Sequence, residues 1–182
     1  MKYIKNGKII LKDKIVCGKV LAYDSKINAI IDEDKIAAGA DVINANGGYI
    51  APGLIDVHIH GYLGLDVCDG NPDDIRKISA GIAQNGVTGW LPTTMTVDKT
   101  VILNAYNSVR SVMAESKNWN GATVLGVHSE GPFINPKKKG AQEERFILKP
   151  DADMIIENSD VVKYITMAPE MDPDFAAIRK IV

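Results

Sequence analysis

From Gly53 onward the chain alternates continuous apolar runs with amphipathic stretches, and this rhythm restricts the fold to a few architectures. Leu54–Ile59, Val87–Leu91, Ala122–Val127 and Val161–Met167 read as strands. Asp73–Asn85, Asp98–Ser116, Asp151–Glu157 and Asp174–Val182 read as helices. The longest helix carries Val101, Ala105, Val109 and Val112 or Met113 along one face at helical spacing. Strands that are apolar throughout are buried on both faces, so the pattern predicts a parallel sheet covered by helices. An open doubly wound sheet and a (β/α)8 barrel both satisfy it, and both place functional groups at the carboxyl ends of the strands. No GxGxxG or GxxxxGKS motif follows any strand. His, Glu and Thr sit there instead, which favours the barrel. Residues 53–182 amount to about half of the roughly 250 residues such a barrel takes. The expected fold is therefore α/β, the first half of a (β/α)8 barrel. Half a barrel leaves two edge strands and an inner face uncovered, so the isolated chain is expected to self-associate or aggregate.

Residues 1–52 follow a different rhythm. Lys8–Leu11, Ile15–Leu21, Ile27–Ile31 and Asp41–Ile43 are short apolar or β-branched runs. Turn residues separate them, among them Asn6-Gly7, Asp24-Ser25 and Gly39. A small meandering β-sheet unit is expected, with its boundary at Pro52.

Composition excludes several classes of function. Lys and Arg number 21 against 23 Asp and Glu, so no charge excess points to nucleic acid. No apolar run approaches the roughly 18 residues of a membrane span. The first ten residues, MKYIKNGKII, scatter charges among apolar residues and lack a small-residue cleavage site, so no signal peptide is expected. Cys17 and Cys68 form no CxxC pair, which points to a reduced, cytoplasmic setting.

All three histidines lie in two short motifs. His58 and His60 are two apart on a strand, so their imidazoles share a face and can aim at one divalent ion such as zinc or iron. Taken alone, HxH also fits a strand that merely carries two histidines. Glu130 follows the third strand and falls on the same rim, where it can complete a metal site or remain a solvated loop carboxylate. His128 stays open between metal neighbour, substrate contact and packed side chain. Thr93 and Thr94 close the second strand, either lining a pocket or capping it. Lys137-Lys138-Lys139 can steer an anion, although a solvated loop run explains it as well. Asp56 reads as a strand residue with a structural hydrogen bond. Asp66 and Asp69 read as loop-shaping residues, Trp90 and Leu91 as barrel core, and Cys68 as a weak extra ligand candidate.

The stretch PGLIDVHIHG at 52–61 resembles the amidohydrolase superfamily. Together with GVTGWLPTT at 86–94, HSEGPFINPKKKGAQ at 128–142 and MAPE at 167–170, the chain resembles the N-acetylglucosamine-6-phosphate deacetylase family along nearly its whole length. The resemblance implies a (β/α)8 barrel with a small β-sandwich, residues 1–52 being a sandwich segment and 53–182 the N-terminal half of the barrel. It implies hydrolysis of the acetamide of a phosphorylated amino sugar, with a divalent metal ion as cofactor. It assigns Glu130, His58 and His60 to metal, and Ala141 and Gln142 to the sugar. It further implies a dimer for the full-length protein. The family uses two more histidine ligands and a general acid/base aspartate. No histidine follows His128, so these are expected beyond Val182. Activity on a cyclic amide, or a non-catalytic fragment, remain the alternatives.

Overall fold

The computed structural model describes residues 1–182, which divide into two compact units, Met1–Pro52 and Gly53–Val182. The first unit is built from β1 (Lys2–Lys5), β2 (Lys8–Ile10), β3 (Ile15–Val16), β4 (Val20–Tyr23), β5 (Ile27–Ile31), β6 (Asp41–Asn44) and β7 (Tyr49–Ile50). It is not a meander. β1 lies between β4, to which it is antiparallel, and β6, to which it is parallel, giving the order β5-β4-β1-β6. A second sheet has the order β3-β2-β7. Leu21 and Ile4 of the first sheet pack with Ile9, Val16 and Ile50 of the second. The expected strand Ile15–Leu21 is interrupted because Gly18 adopts φ +67, a left-handed conformation that a strand cannot continue through. β1 escaped the reading because KYIK is only four residues long, with Tyr3 and Ile4 side by side as its apolar residues.

The second unit contains β8 (Leu54–Ile59), a short hairpin of β9 (Gly61–Tyr62) and β10 (Leu65–Asp66), α1 (Pro72–Ala83), β11 (Val87–Pro92) and α2 (Lys99–Met113). It continues with β12 (Thr123–Val124), β13 (Val127–Glu130), α3 (Ala152–Ile156), β14 (Val162–Thr166) and α4 (Ala176–Ile181). β8, β11 and β12 pair in parallel, as do β13 and β14, and a parallel bridge from Thr93 to His128 joins the two groups. Consecutive parallel strands therefore lie side by side in chain order. A doubly wound sheet would reverse that order at a switch point.

Local signals explain where the elements start and stop. Asn71 caps α1 by accepting a hydrogen bond from the Asp73 backbone N–H, and Pro72 occupies the first helical position. Asp98 caps α2 in the same way through Thr100. The expected strand Ala122–Val127 breaks at Gly126, whose φ of +143 suits only glycine. A Cβ there would also meet the Val161 carbonyl at 2.8 Å. Glu130 is thus the last residue of a strand rather than a loop residue beyond one. The core joins Ile75, Ile78 and Ile82 of α1 to Ile102, Ala105, Tyr106, Val109 and Val112 of α2, with Trp90, Val124 and Val127 from the sheet. On α2, Ile102 rather than Val101 is the fully buried residue. The opposite face and the edges of the sheet stay open, with Leu54, Ile55, Val57, Leu125 and Tyr164 all exposed. No helix is long and apolar enough to cross a membrane.

Candidate metal centre

His58 in β8 and His60, one residue past its end, keep the period-2 alternation and reach one face of the sheet, and β13 delivers Glu130 to the same place. The His58 Nε2 lies 2.6 Å from Glu130 Oε2, the His60 Nε2 lies 3.1 Å from the same oxygen, and the two Nε2 atoms are 3.3 Å apart. His58 is half-exposed while Glu130 is largely buried. Glycine follows each of these strand ends for a steric reason. A Cβ on Gly61 would fall 2.0 Å from the Leu65 carbonyl oxygen, and one on Gly131 would fall 2.1 Å from Thr96 Oγ1.

The surroundings hold His60 and Glu130 in a ligand-ready state. His60 Nδ1 stands 3.2 Å from the Thr93 carbonyl, which can only accept, so Nδ1 carries the proton and Nε2 presents a lone pair. Thr93 is itself fixed, its hydroxyl accepting from the Ile59 N–H and donating to the Leu91 carbonyl. The Asp56 carboxylate accepts from the His58 backbone N–H, the structural role expected of it. Glu130 Oε1 accepts a hydrogen bond from Gln142 Nε2 at 2.9 Å. Glu130 Oε2 is buried and makes no hydrogen bond, with the two imidazole Nε2 atoms as its close neighbours.

These residues fit a divalent metal. A buried, unpaired carboxylate oxygen beside two imidazole nitrogens is costly without a cation. Two imidazoles and a carboxylate are a donor set suited to zinc or iron. Donors on a tetrahedral ion at about 2.1 Å stand about 3.4 Å apart. The separations of 3.3 and 3.1 Å come close to this, and 2.6 Å is tighter. Three protein ligands would leave room for water or substrate.

His128 does not join them. Its Nδ1 lies 2.8 Å from the Val57 carbonyl and must donate to it, while Nε2 lies 2.8 Å from Thr166 Oγ1 and accepts from that hydroxyl. Both ring nitrogens are occupied, and the ring stacks edge-on against His58 and Tyr164. Burial holds its pKa below the usual histidine value. Of the three open readings, the packed, hydrogen-bonded side chain is the one the structure selects. Cys68 accepts from the Met95 N–H, burial pushes its thiol up to about 11, and it does not converge with the three clustered residues. Asp66 and Asp69 shape the turn between them: Asp66 accepts from the Cys68 N–H and donates its own N–H to Asp69. Trp90 is fully buried and donates to Ser79, and Leu91 is buried. Thr94 is buried. Lys137 and Lys138 lie on a single exposed turn, while the Lys139 ammonium reaches the Gln142 carbonyl. Ala141 is exposed, and Gln142 is buried with its amide turned toward Glu130. The supporting partners, namely the Thr93 carbonyl and the Thr96 backbone N–H, were invisible in the sequence because every residue carries such groups.

Residues 49–182 match the amidohydrolase family. The N-acetylglucosamine-6-phosphate deacetylase of Bacillus subtilis (strain 168) is 33% identical over 97% of this chain and 46% of its own length. The N-acetylgalactosamine-6-phosphate deacetylase of Escherichia coli O157:H7 is 34% identical over 71% of this chain and 35% of its own. The crystal structure of N-acetylglucosamine-6-phosphate deacetylase from Pasteurella multocida superposes with a TM-score of 0.87 at 27% identity, covering 98% of this chain and 48% of that one. The chain thus spans about half or less of the length of the curated relatives it matches.

Proposed function

This chain belongs to the amidohydrolase family, and from that we propose that it is the N-terminal part of a metal-dependent deacetylase that hydrolyses N-acetylglucosamine 6-phosphate to glucosamine 6-phosphate and acetate. The observation that carries the reading is the convergence of His58, His60 and Glu130, with Glu130 Oε2 buried and unpaired between two imidazoles. In this reading the four parallel strand positions are the first half of a (β/α)8 barrel, and residues 1–52 are a sandwich segment. The full-length protein would be a cytoplasmic dimer.

Each residue then has a task. His58 Nε2, His60 Nε2 and Glu130 Oε2 hold zinc or iron. A divalent ion in that cradle supplies Lewis acidity, lowering the pKa of bound water to near 7 and polarising the acetyl carbonyl. Thr93 keeps His60 in the tautomer that leaves Nε2 free. Ala141 and Gln142 contact the sugar. The general acid/base aspartate and two further histidine ligands lie outside residues 1–182.

Acetate release from N-acetylglucosamine 6-phosphate by the complete gene product, before and after chelation, tests the reading. Turnover that is lost to the chelator and restored by zinc or iron is expected. A metal-loaded protein that releases no acetate, or that opens a cyclic amide instead, would overturn it. Preference for the galactosamine epimer would reassign the sugar while keeping the reaction.

A further inference from the structure

The two ends of the Gln142 amide face different kinds of partner, and this fixes how Glu130 is held. Gln142 Oε1 lies 2.6 Å from the Thr96 backbone nitrogen. An N–H can only donate, so the atom facing it must be the carbonyl oxygen. The NH2 end then has to face Glu130, with Nε2 2.9 Å from Oε1. Its other flank rests 3.7 Å from Met95 Sδ. The backbone cannot swing the amide away, because the Gln142 N–H donates to the Lys139 carbonyl and the Gln142 carbonyl accepts from the Lys139 ammonium.

The consequence lies on the carboxylate. A free carboxylate can offer a metal either one oxygen or both. Here one oxygen already accepts a charge-assisted hydrogen bond, and the other is the buried, unpaired atom beside the imidazoles. We propose that Gln142 is the positioning residue of the metal centre: by occupying Glu130 Oε1 it makes Glu130 a one-oxygen ligand and aims Oε2 at the ion. This rests on the metal reading above and deepens it. Gln142 enters the site through Glu130.

Cobalt titrated into the 182-residue chain separates the two ideas. Affinity is read by competition with a chromophoric chelator, and coordination by the intensity of the cobalt d–d bands. Gln142→Met keeps the length and bulk of the side chain but has no donor. Gln142→Asn keeps the amide on a chain one methylene shorter, which cannot span Thr96 and Glu130 together. Both are expected to bind cobalt about 10- to 100-fold more weakly. Both should also show weaker d–d absorption, the mark of a higher coordination number, as Glu130 turns to offer both oxygens. Met95→Leu disturbs the same packing without touching the donor and should match the parent on both readouts. If either Gln142 variant folds and matches the parent in affinity and spectrum, the positioning role is overturned while the metal reading stands. If the parent takes up no cobalt, the metal reading fails and the positioning role with it.

Discussion

Replacing His128 by phenylalanine separates a structural histidine from a metal ligand. The ring is 1% exposed, and phenylalanine nearly matches its shape. What disappears is the donor to the Val57 carbonyl and the acceptor for the Thr166 hydroxyl, both at 2.8 Å. Each such bond contributes about 0.5–1.5 kcal/mol net. Val57 and Thr166 belong to exposed residues, so water can replace much of what is lost and the larger penalty of an orphaned buried group does not apply. Burying a benzene ring in place of an imidazole returns part of the difference. The expected loss is about 1–2 kcal/mol, or roughly 2–8 °C in melting temperature for a unit of this size. Zinc affinity should change less than about threefold, because neither His128 nitrogen is free to ligate. Thermal melts and a zinc competition titration on the same preparation measure both. A loss of zinc affinity of two orders of magnitude or more, with the fold retained, would refute the assignment of both ring nitrogens to hydrogen bonds.

Gly131→Ala puts a side chain at φ +67 and 2.1 Å from the buried Thr96 hydroxyl, so a loss above about 2 kcal/mol is expected in urea unfolding; a loss below 0.5 kcal/mol would mean the loop relaxes freely. Ser79→Ala leaves the buried Trp90 Nε1–H, now 2.8 Å from Ser79 Oγ, without a partner and should cost about 1–3 kcal/mol. The same change in a Trp90→Phe background should cost clearly less, and equal costs in both backgrounds would dismiss the hydrogen bond. Burial pushes the Cys68 thiol up to about 11, so it stays protonated through neutral pH, whereas Cys17 is exposed. At pH 8 Ellman's reagent should therefore titrate Cys17 quickly and Cys68 only after denaturation, and two equally fast thiols would contradict the burial.

Periodicity carried most of the second unit, because continuous apolar strands and helices with capping residues leave strong one-dimensional marks. Asn71-Pro72 and Asp98 stand where helices begin for reasons a sequence displays. The first unit was harder to read. β1 is short and half lysine, and its place between β4 and β6 depends on pairings distant in sequence. Glycine misled twice, since Gly18 and Gly126 each split a run that looked continuous. At the candidate site, the spacing of His58 and His60 showed that the two imidazoles share a face, and motif order put Glu130 near the same rim. What stayed hidden was the support. Whether His128 ligates or packs depends on where the Val57 carbonyl lies, and the task of Gln142 depends on the Thr96 N–H. Main-chain groups of this kind are present at every position and acquire meaning only through the fold.

Anomalous diffraction at the zinc edge, from crystals grown with zinc, tests most directly whether His58, His60 and Glu130 form one metal cradle. A single strong peak about 2.0–2.2 Å from His58 Nε2, His60 Nε2 and Glu130 Oε2 is expected. Zinc bound elsewhere with these three side chains bare, or the three found well apart, would contradict it.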